Sequence, residues 1–592
     1  MGRLAGIALL ALLALPAGAL GHGAGAHGTA AVRAAAITPE GECDGAAIAP
    51  DRVISGSFSS DRQGSYVLVP FDVPAGTTSV RVKYCYDAND GPLSSLAKHT
   101  LDLGIYDARP AAGALWGEDE FRGWGGSSHP DVTISAEGFK SEAQYLASPK
   151  GHVAGKTTRG FRPGPIQGGE WAVELGVAAV VPREQGDADG RVNWRVEIEL
   201  SDAPAHADEP YQPAPYDTTP ARSEPGWYAG DLHVHAEHSA IGDATMRETF
   251  DYAFGEAGLD FITLSDYVTD SAWGEIGRFQ ADYPGKLIER SSEIITYRGH
   301  TNNHGSAAYV DYRTGPVYER LPDGRLQGLR GNQPASRIFR DVHESGGWTQ
   351  INHPTIFPSA VPLFPFLCRG CPWDYSDRET DYRNVDAIEI ATGPAGLKDP
   401  LKIGPNPFTV TALAFYEHAL STGAKIAAVG VSDSHRAGRA DDPITQAPLG
   451  QATTVVYADE LSEDGIQRGV EAGHTYVKLY GNDGPDLRFE ARRAGSGGPP
   501  AIMGDTLRTS GPVEFTARVL GAAPLSGRDP KKPDPYELLV TWNGLPVFVV
   551  PVLGDDFTFP FTLPVPGRWG LQLQRTTTIE AVSSPIYVEP LG

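Results

Sequence analysis

The 592-residue chain carries 70 Gly and 48 Pro, so turns and short strands should outnumber long helices. An apolar fraction of 41% with 9% aromatic residues excludes wholesale disorder, and the lack of a Gly-X-Y period or heptad run excludes collagen and coiled coil. With 49 basic against 74 acidic side chains, a net charge of −25, the surface should repel phosphate backbones, which disfavours a general nucleic-acid binder.

The chain opens on Arg3, an apolar run from Leu4 to Leu15, Pro16 and small residues. That order predicts a signal peptide over 1–21, cleaved after Ala19 or Gly21, and so a secreted or extracytoplasmic protein. No later stretch has the ~18 consecutive apolar residues of a membrane span. Residues 22–47 read as a flexible leader. From 48 to 201, short alternating runs such as Val80, Val82, Tyr84 and Tyr86 predict an N-terminal β-sandwich. A Pro-rich linker follows at 202–226. From 227 to 483 strand-like and helix-like runs alternate, the pattern of βα units and of a parallel sheet or barrel. One predicted helix places Met246, Phe250, Ala253 and Phe254 on a single face. From 484 to 592 the β texture returns as a C-terminal, immunoglobulin-like sandwich with Trp542 and Trp569 in its core. Four cysteines, Cys43, Cys85, Cys368 and Cys371, in an exported chain predict two disulfides, most simply Cys43–Cys85 and Cys368–Cys371.

The residues that carry chemistry stand at predicted strand ends of the middle region. His233-Val-His235 ends its first strand, and side chains two apart on a strand share a face. Asp433-Ser-His435 ends a late one. Between them come Glu293, His300 in Gly-His-Thr-Asn and His353 in Asn-His-Pro. If the strands close into a barrel, these groups converge at the C-terminal rim. Imidazoles and carboxylates without thiolate suit Zn, Mn or Fe.

The stretches GDLHVH, LDFITLSD, SSEIITYRGHTN, INHP, AIEI and VGVSDSH together resemble the polymerase and histidinol phosphatase (PHP) superfamily of metal-dependent phosphoesterases, most closely its secreted carbaryl-hydrolase-like branch. The resemblance covers about residues 227–480 and implies a distorted (β/α)7 barrel between the two sandwiches. It implies that His233, His235, Glu293 and Asp433 hold one divalent ion, and that Glu293 bridges to a second held by His300 and His353. At the third site of the family, this chain has Ser265-Asp266-Tyr267 in place of Thr-Asp-His and Ser239-Ala240 in place of Ser-Asp. Only His435 remains there, with His238 or Tyr267 beside it, so two metals are expected rather than three.

The expected chemistry is hydrolysis by a metal-bridging hydroxide, formed near neutral pH because metal binding lowers the pKa of water to about 7. His435 is the candidate acid, with Tyr267 donating a hydrogen bond to the developing charge and Asp266 orienting a ligand or touching substrate. His238, Asn302, His304 and Glu389 are candidate outer-shell groups. Arg298, Arg436 and Arg439 are candidates for a phosphate clamp, Asp243 for a helix N-cap, and His343, His418 and His474 for packing or surface roles. The leading substrate is a phosphoric ester. The same site could cleave a carbamate, carboxylic ester or amide, and a non-catalytic surface-binding protein with a degenerate barrel is the reading from another class. The partner expected is a small-molecule ester, with no nucleic acid and no membrane span in the mature chain.

Overall fold

The computed structural model describes residue 43 and residues 49–591, apart from 90, 92, 95, 112–113, 115, 150–151, 204–210, 321–325, 395–405, 440–446, 523–535 and 576–577. The predicted signal peptide and most of the predicted leader lie outside these residues. The chain is a mixed α/β protein with extensive sheet and few helices.

In the N-terminal region, alternating apolar residues bury one face of each strand, and two antiparallel sheets share a single core. One orders Arg52–Ser59, Arg191–Ser201, Ser79–Tyr86 and Asp131–Ser135. The other contains Tyr66–Val73, Gly169–Ala179, Thr100–Tyr106 and Phe121–Gly126. Val69, Val80, Leu103, Trp171 and Val196 fill the space between them. A disulfide joins Cys43 to Cys85. The second sheet is extended by a hairpin from far along the chain: Leu326–Arg330 pairs with Tyr66–Leu68, and Val317–Arg320 pairs with that strand in turn. The middle region thus donates two strands to the N-terminal sheet.

Seven strands of the middle region lead around the candidate site, and Thr453–Ala458 and Thr475–Lys478 continue the sheet beyond Gly226–Val234. Gly226–Val234, Phe261–Leu264 and Leu287–Thr296 run parallel. The chain then reverses through Tyr297 and Arg298, so that Gly299–His304 is antiparallel to both its neighbours, Leu287–Thr296 and Trp348–Ile351. Ala387–Thr392 and Ala427–Val431 continue in parallel. A bridge between Val234 and Ser434 brings the two ends together, with the His235 N–H donating to the Ser434 carbonyl and the Asp433 N–H to that of His233. The expectation of uniform βα units therefore fails at His300, which stands on an antiparallel return strand.

Helices pack around these strands. Met246–Phe254 starts at a capping box in which Thr245 accepts the Glu248 N–H and Glu248 accepts the Thr245 N–H. The cap is therefore Thr245, and Asp243 pairs with Arg436 instead. Met246, Phe250 and Ala253 are buried, and Phe254 is half-buried at the edge of that face.

The C-terminal strands also form two layers around one core, with Trp569 buried and Trp542 packed at its margin. One layer does not stand apart: Thr578–Ser583 pairs with Thr475–Lys478 and joins the C-terminal sheet to the middle one. No helix among the described residues is long and apolar enough to cross a membrane.

Candidate metal centre

Four ligand atoms meet where the ends of the seven-strand run join. His233 Nε2 and His235 Nε2 are 3.0 Å apart. Glu293 Oε2 is 3.3 and 3.4 Å from them, and Asp433 Oδ1 is 3.4 and 3.2 Å. Two atoms each about 2.0–2.1 Å from one tetrahedral zinc stand about 3.4 Å apart, so these spacings match the edges of a coordination tetrahedron. Asp433 Oδ1 is buried, yet it makes no hydrogen bond among the described residues. A shared cation would satisfy it where no proton does.

The outer partners set the tautomers. His233 Nδ1 faces Glu389 Oε1 at 2.7 Å and His235 Nδ1 faces Ser239 Oγ at 2.7 Å, which leaves both Nε2 lone pairs directed inward. Glu389 is buried and also accepts from Gln350 Nε2 (2.8 Å), the His353 N–H (2.6 Å) and the Thr392 hydroxyl (2.6 Å). It is an outer-shell hub.

The other oxygen of Glu293 faces a second set. Oε1 is 3.2 Å from His300 Nδ1 and 3.2 Å from His353 Nε2, and it accepts from Asn352 Nδ2 at 3.0 Å. His353 Nδ1 donates to the Cys371 carbonyl at 3.0 Å, again directing Nε2 inward. His300 Nε2 is buried with no hydrogen bond among the described residues. Glu293 thus serves both sets, one oxygen each.

Electrostatics also favour a cation here. Burial opposes charge throughout, but Glu293, Asp433 and Glu389 together hold the His233 pKa well above the ordinary histidine value. Burial likewise pushes Glu293 up, and the neighbouring imidazoles, His233 foremost, bring it well below the usual carboxylate range. A buried site with this carboxylate density calls for positive charge. Backbone geometry is correspondingly special: Asp433 has φ 51° and His353 φ 26°, left-handed values that cost non-glycine residues energy and cluster at functional sites. Asp433-Ser-His435 is therefore a turn beyond Val431 and not a strand face. Glu293 lies within its strand, not at its end.

The remaining candidates fall into place around these six. His435 Nε2 is 2.6 Å from the Tyr267 hydroxyl, and its Nδ1 is 3.0 Å from the Asp433 carbonyl. Burial, followed by the charge of His235, pulls His435 down to about 3, whereas burial drives Tyr267 well above the phenol value. In this arrangement Tyr267 is the donor and His435 the acceptor, with His435 Nδ1 turned to the Asp433 carbonyl. His235, Asp433 and His435 also form a possible ligand set, but it shares two of its members with the first.

Asp266 is buried, accepts the Ala236 N–H at 2.8 Å and stands beside Ser239. Burial raises its pKa, and the charge of nearby His235 opposes that shift. His238 is committed elsewhere: Nδ1 meets Ser271 Oγ at 2.8 Å and Nε2 meets Arg159 at 3.2 Å. His304 is buried and stacks on Trp348 at 3.8 Å. Asn302 holds no loop at His300. It donates to the Leu232 carbonyl (3.0 Å) and accepts from Asn352 (2.8 Å), which ties neighbouring strands together. Arg298 is chelated by Glu379 at 2.6 and 2.9 Å, Arg436 pairs with Asp243, and Arg439 donates to the Asp243 carbonyl. These three do not make a clamp. His343, His418 and His474 pair with Asp386, Asp377 and Asp505.

Asn352 and Gln350 were missed. Both sit in the Trp-Thr-Gln-Ile-Asn-His run that carries His353, but neutral amides give no ligand signal. Cys368 is joined to Cys371, so the sulfur of Cys371 beside His300 and His353 is not a thiolate ligand.

No family model and no curated protein matches the chain. Among solved structures, a two-domain protein from Bacteroides vulgatus, described as containing a predicted PHP-like metal-dependent phosphoesterase, is similar at 15% identity. That match covers 63% of this chain and 99% of the other, with a TM-score of 0.31. A lesion-specific endonuclease from Pyrococcus furiosus is similar at 14% identity, over 42% of this chain and 56% of the other, with a TM-score of 0.24.

Proposed function

We propose that the chain is a secreted, metal-dependent hydrolase of the PHP type, acting on phosphoric esters at a two-metal centre. The observation that carries this reading is the division of Glu293 between two sets of inward-facing ligand atoms. His233, His235 and Asp433 would hold one divalent ion, and His300 and His353 the other. Bound ions of this kind lower the pKa of water toward about 7 and polarise the oxygen under attack.

The chain's own residues supply orientation and proton control. Glu389, Ser239 and the Cys371 carbonyl fix the imidazole tautomers. Asn352 holds the Glu293 carboxylate in place, and the Tyr267 hydroxyl, which donates to His435 in this structure, would have to turn from it to stabilise a developing anion. No nucleic-acid partner is proposed, because net charge −25 opposes a polyanion.

A second reading, a carbamate, carboxylic ester or amide hydrolase, is favoured by one observation: Arg298, Arg436 and Arg439 are all engaged by protein oxygens and do not form a phosphate clamp. The test measures bound metal per chain by mass spectrometry. It then screens wild type and His233→Ala against aryl phosphate mono- and diesters, aryl esters and carbamates. Metal with phosphoester turnover in wild type, both reduced in the variant, is expected. Absence of metal and of turnover would sink the proposal, and turnover of carbonyl esters alone would select the second reading.

A further inference from the structure

Between the N-terminal sheets and the middle region lies a cavity of about 200 Å³. An apolar cavity of about 150 Å³ holds benzene, so one aromatic ring fits. Tyr267 and His300 line it, which places it directly against the candidate metal centre. Trp124 from the N-terminal region supplies an aromatic wall and meets Tyr267 edge to face at 6.0 Å. Ala240, at a position where the resembled family has a carboxylate, keeps a further wall apolar.

Among the described residues, the Asp102 carboxyl and the Arg369 guanidinium face this space. Asp102 accepts from the Tyr297 hydroxyl at 2.7 Å and from the Ser127 N–H. Arg369, on the loop closed by the Cys368–Cys371 disulfide, donates its Nε–H to the Ala178 carbonyl at 2.7 Å. Its two terminal amino groups make no hydrogen bond or ion pair to the described residues. Gly370 sets the position of this loop: it has φ +86°, and a Cβ there would meet the Thr296 carbonyl oxygen at 2.1 Å. The loop is seated against the strand that carries Glu293. A guanidinium held by its Nε edge beside apolar walls presents its remaining donors in the fork that matches a carboxylate or phosphate.

We propose that this cavity is the leaving-group subsite of the metal centre, taking an aromatic alcohol that carries an anionic substituent, with Arg369 pairing to that substituent. The substrate class is then an anionic aryl phosphate. The oxygen of water joins phosphorus, the P–O(aryl) bond breaks with its electrons going to the aryl oxygen, and that oxygen takes up a proton. The inference rests on the hydrolase reading above, and the experiment separates the two.

Hydrolysis of 4-carboxyphenyl phosphate and of phenyl phosphate is measured in wild type, Arg369→Gln and Arg369→Lys, with Arg383→Gln, an exposed residue paired to Asp381, as control. A charged hydrogen bond worth about 1.5–3 kcal/mol corresponds to a loss of about 10–100-fold in the kcat/KM ratio of carboxylated over plain substrate in Arg369→Gln. Partial recovery in Arg369→Lys and no change in Arg383→Gln are expected. An unchanged ratio in Arg369→Gln, including equal slowing of both substrates, overturns the subsite. Calorimetric titration with 4-hydroxybenzoate needs no turnover. Binding to wild type that weakens in Arg369→Gln supports the subsite even if no phosphoester is cleaved, an outcome that would sink only the hydrolase reading. No binding to wild type overturns the subsite.

Discussion

His233 stands between two negative poles, Glu389 on Nδ1 and the Glu293–Asp433 pair on Nε2. Its tautomer therefore depends on a residue that touches no substrate. Glu389→Gln should weaken metal binding by about 10–100-fold, the usual cost of losing such a partner, as read by competition with a chromophoric chelator while circular dichroism stays unchanged. A second residue-scale expectation concerns pH. Burial raises Asp102 to about 7, so the folded state holds a proton there that the unfolded chain releases near the ordinary value. This contribution is complete below about pH 4 and is lost as pH rises through about 7, worth a few kcal/mol at about 1.4 per unit. Urea midpoints at pH 5 and pH 8 should lie closer together in Asp102→Asn than in wild type. An undiminished gap would refute the assignment. The candidate ligands stood out because HxH, DxH and single His and Glu recur within one region of alternating strands and helices, although Glu293 lies inside its strand and Asp433 in a turn. The roles of Tyr267 and His435 were not legible, since donor and acceptor are set by burial that spacing does not reveal.

At the scale of elements, the loop Cys368–Cys371 performs two tasks. Its last carbonyl orients His353, and its second residue presents Arg369 to the cavity. The sequence marked this loop only as a disulfide. Replacing both cysteines by serine should weaken metal binding and raise KM for aryl phosphates together, each by about tenfold or more, by analogy with outer-shell substitutions. A variant that kept both values would show that the loop is a clip without a role in the site. The pairing of Val317–Arg320 with Leu326–Arg330, and of the latter with the N-terminal sheet, was equally hidden, because these short runs lack the alternation that marks a strand. Thr578–Ser583 is a similar case, because pairing with Thr475–Lys478 is a long-range choice between edges.

For the whole molecule, the N-terminal region is packed tightly against the middle one. Tyr66, Phe121 and Trp124 share one core with Val268, Ile295 and Tyr312. Arg313 is fully buried, pairs with Glu174 across the boundary at 2.8 Å and packs over the rings of Tyr66 and Phe121. A Cβ on Gly160 would come within 2.9 Å of the His238 carbonyl, so the backbones themselves meet there. Arg313→Met strands the buried Glu174 carboxylate and should cost about 3–5 kcal/mol. Calorimetry should show a lower midpoint, with N-terminal and middle regions unfolding separately where wild type unfolds them together. Two well-separated transitions already in wild type would count against this coupling. The sequence by itself determined local facts: which runs alternate, which residues have ligand chemistry, and that the cysteines are paired off as disulfides. Only the tertiary structure decided that Glu293 divides its oxygens between two histidine sets, that Tyr267 occupies His435, and that Trp124 and Arg369 border the same cavity. The physical reason is range. Alternation, capping and side-chain chemistry act over a few residues, whereas these contacts join positions up to some hundreds of residues apart through the packing of a shared core.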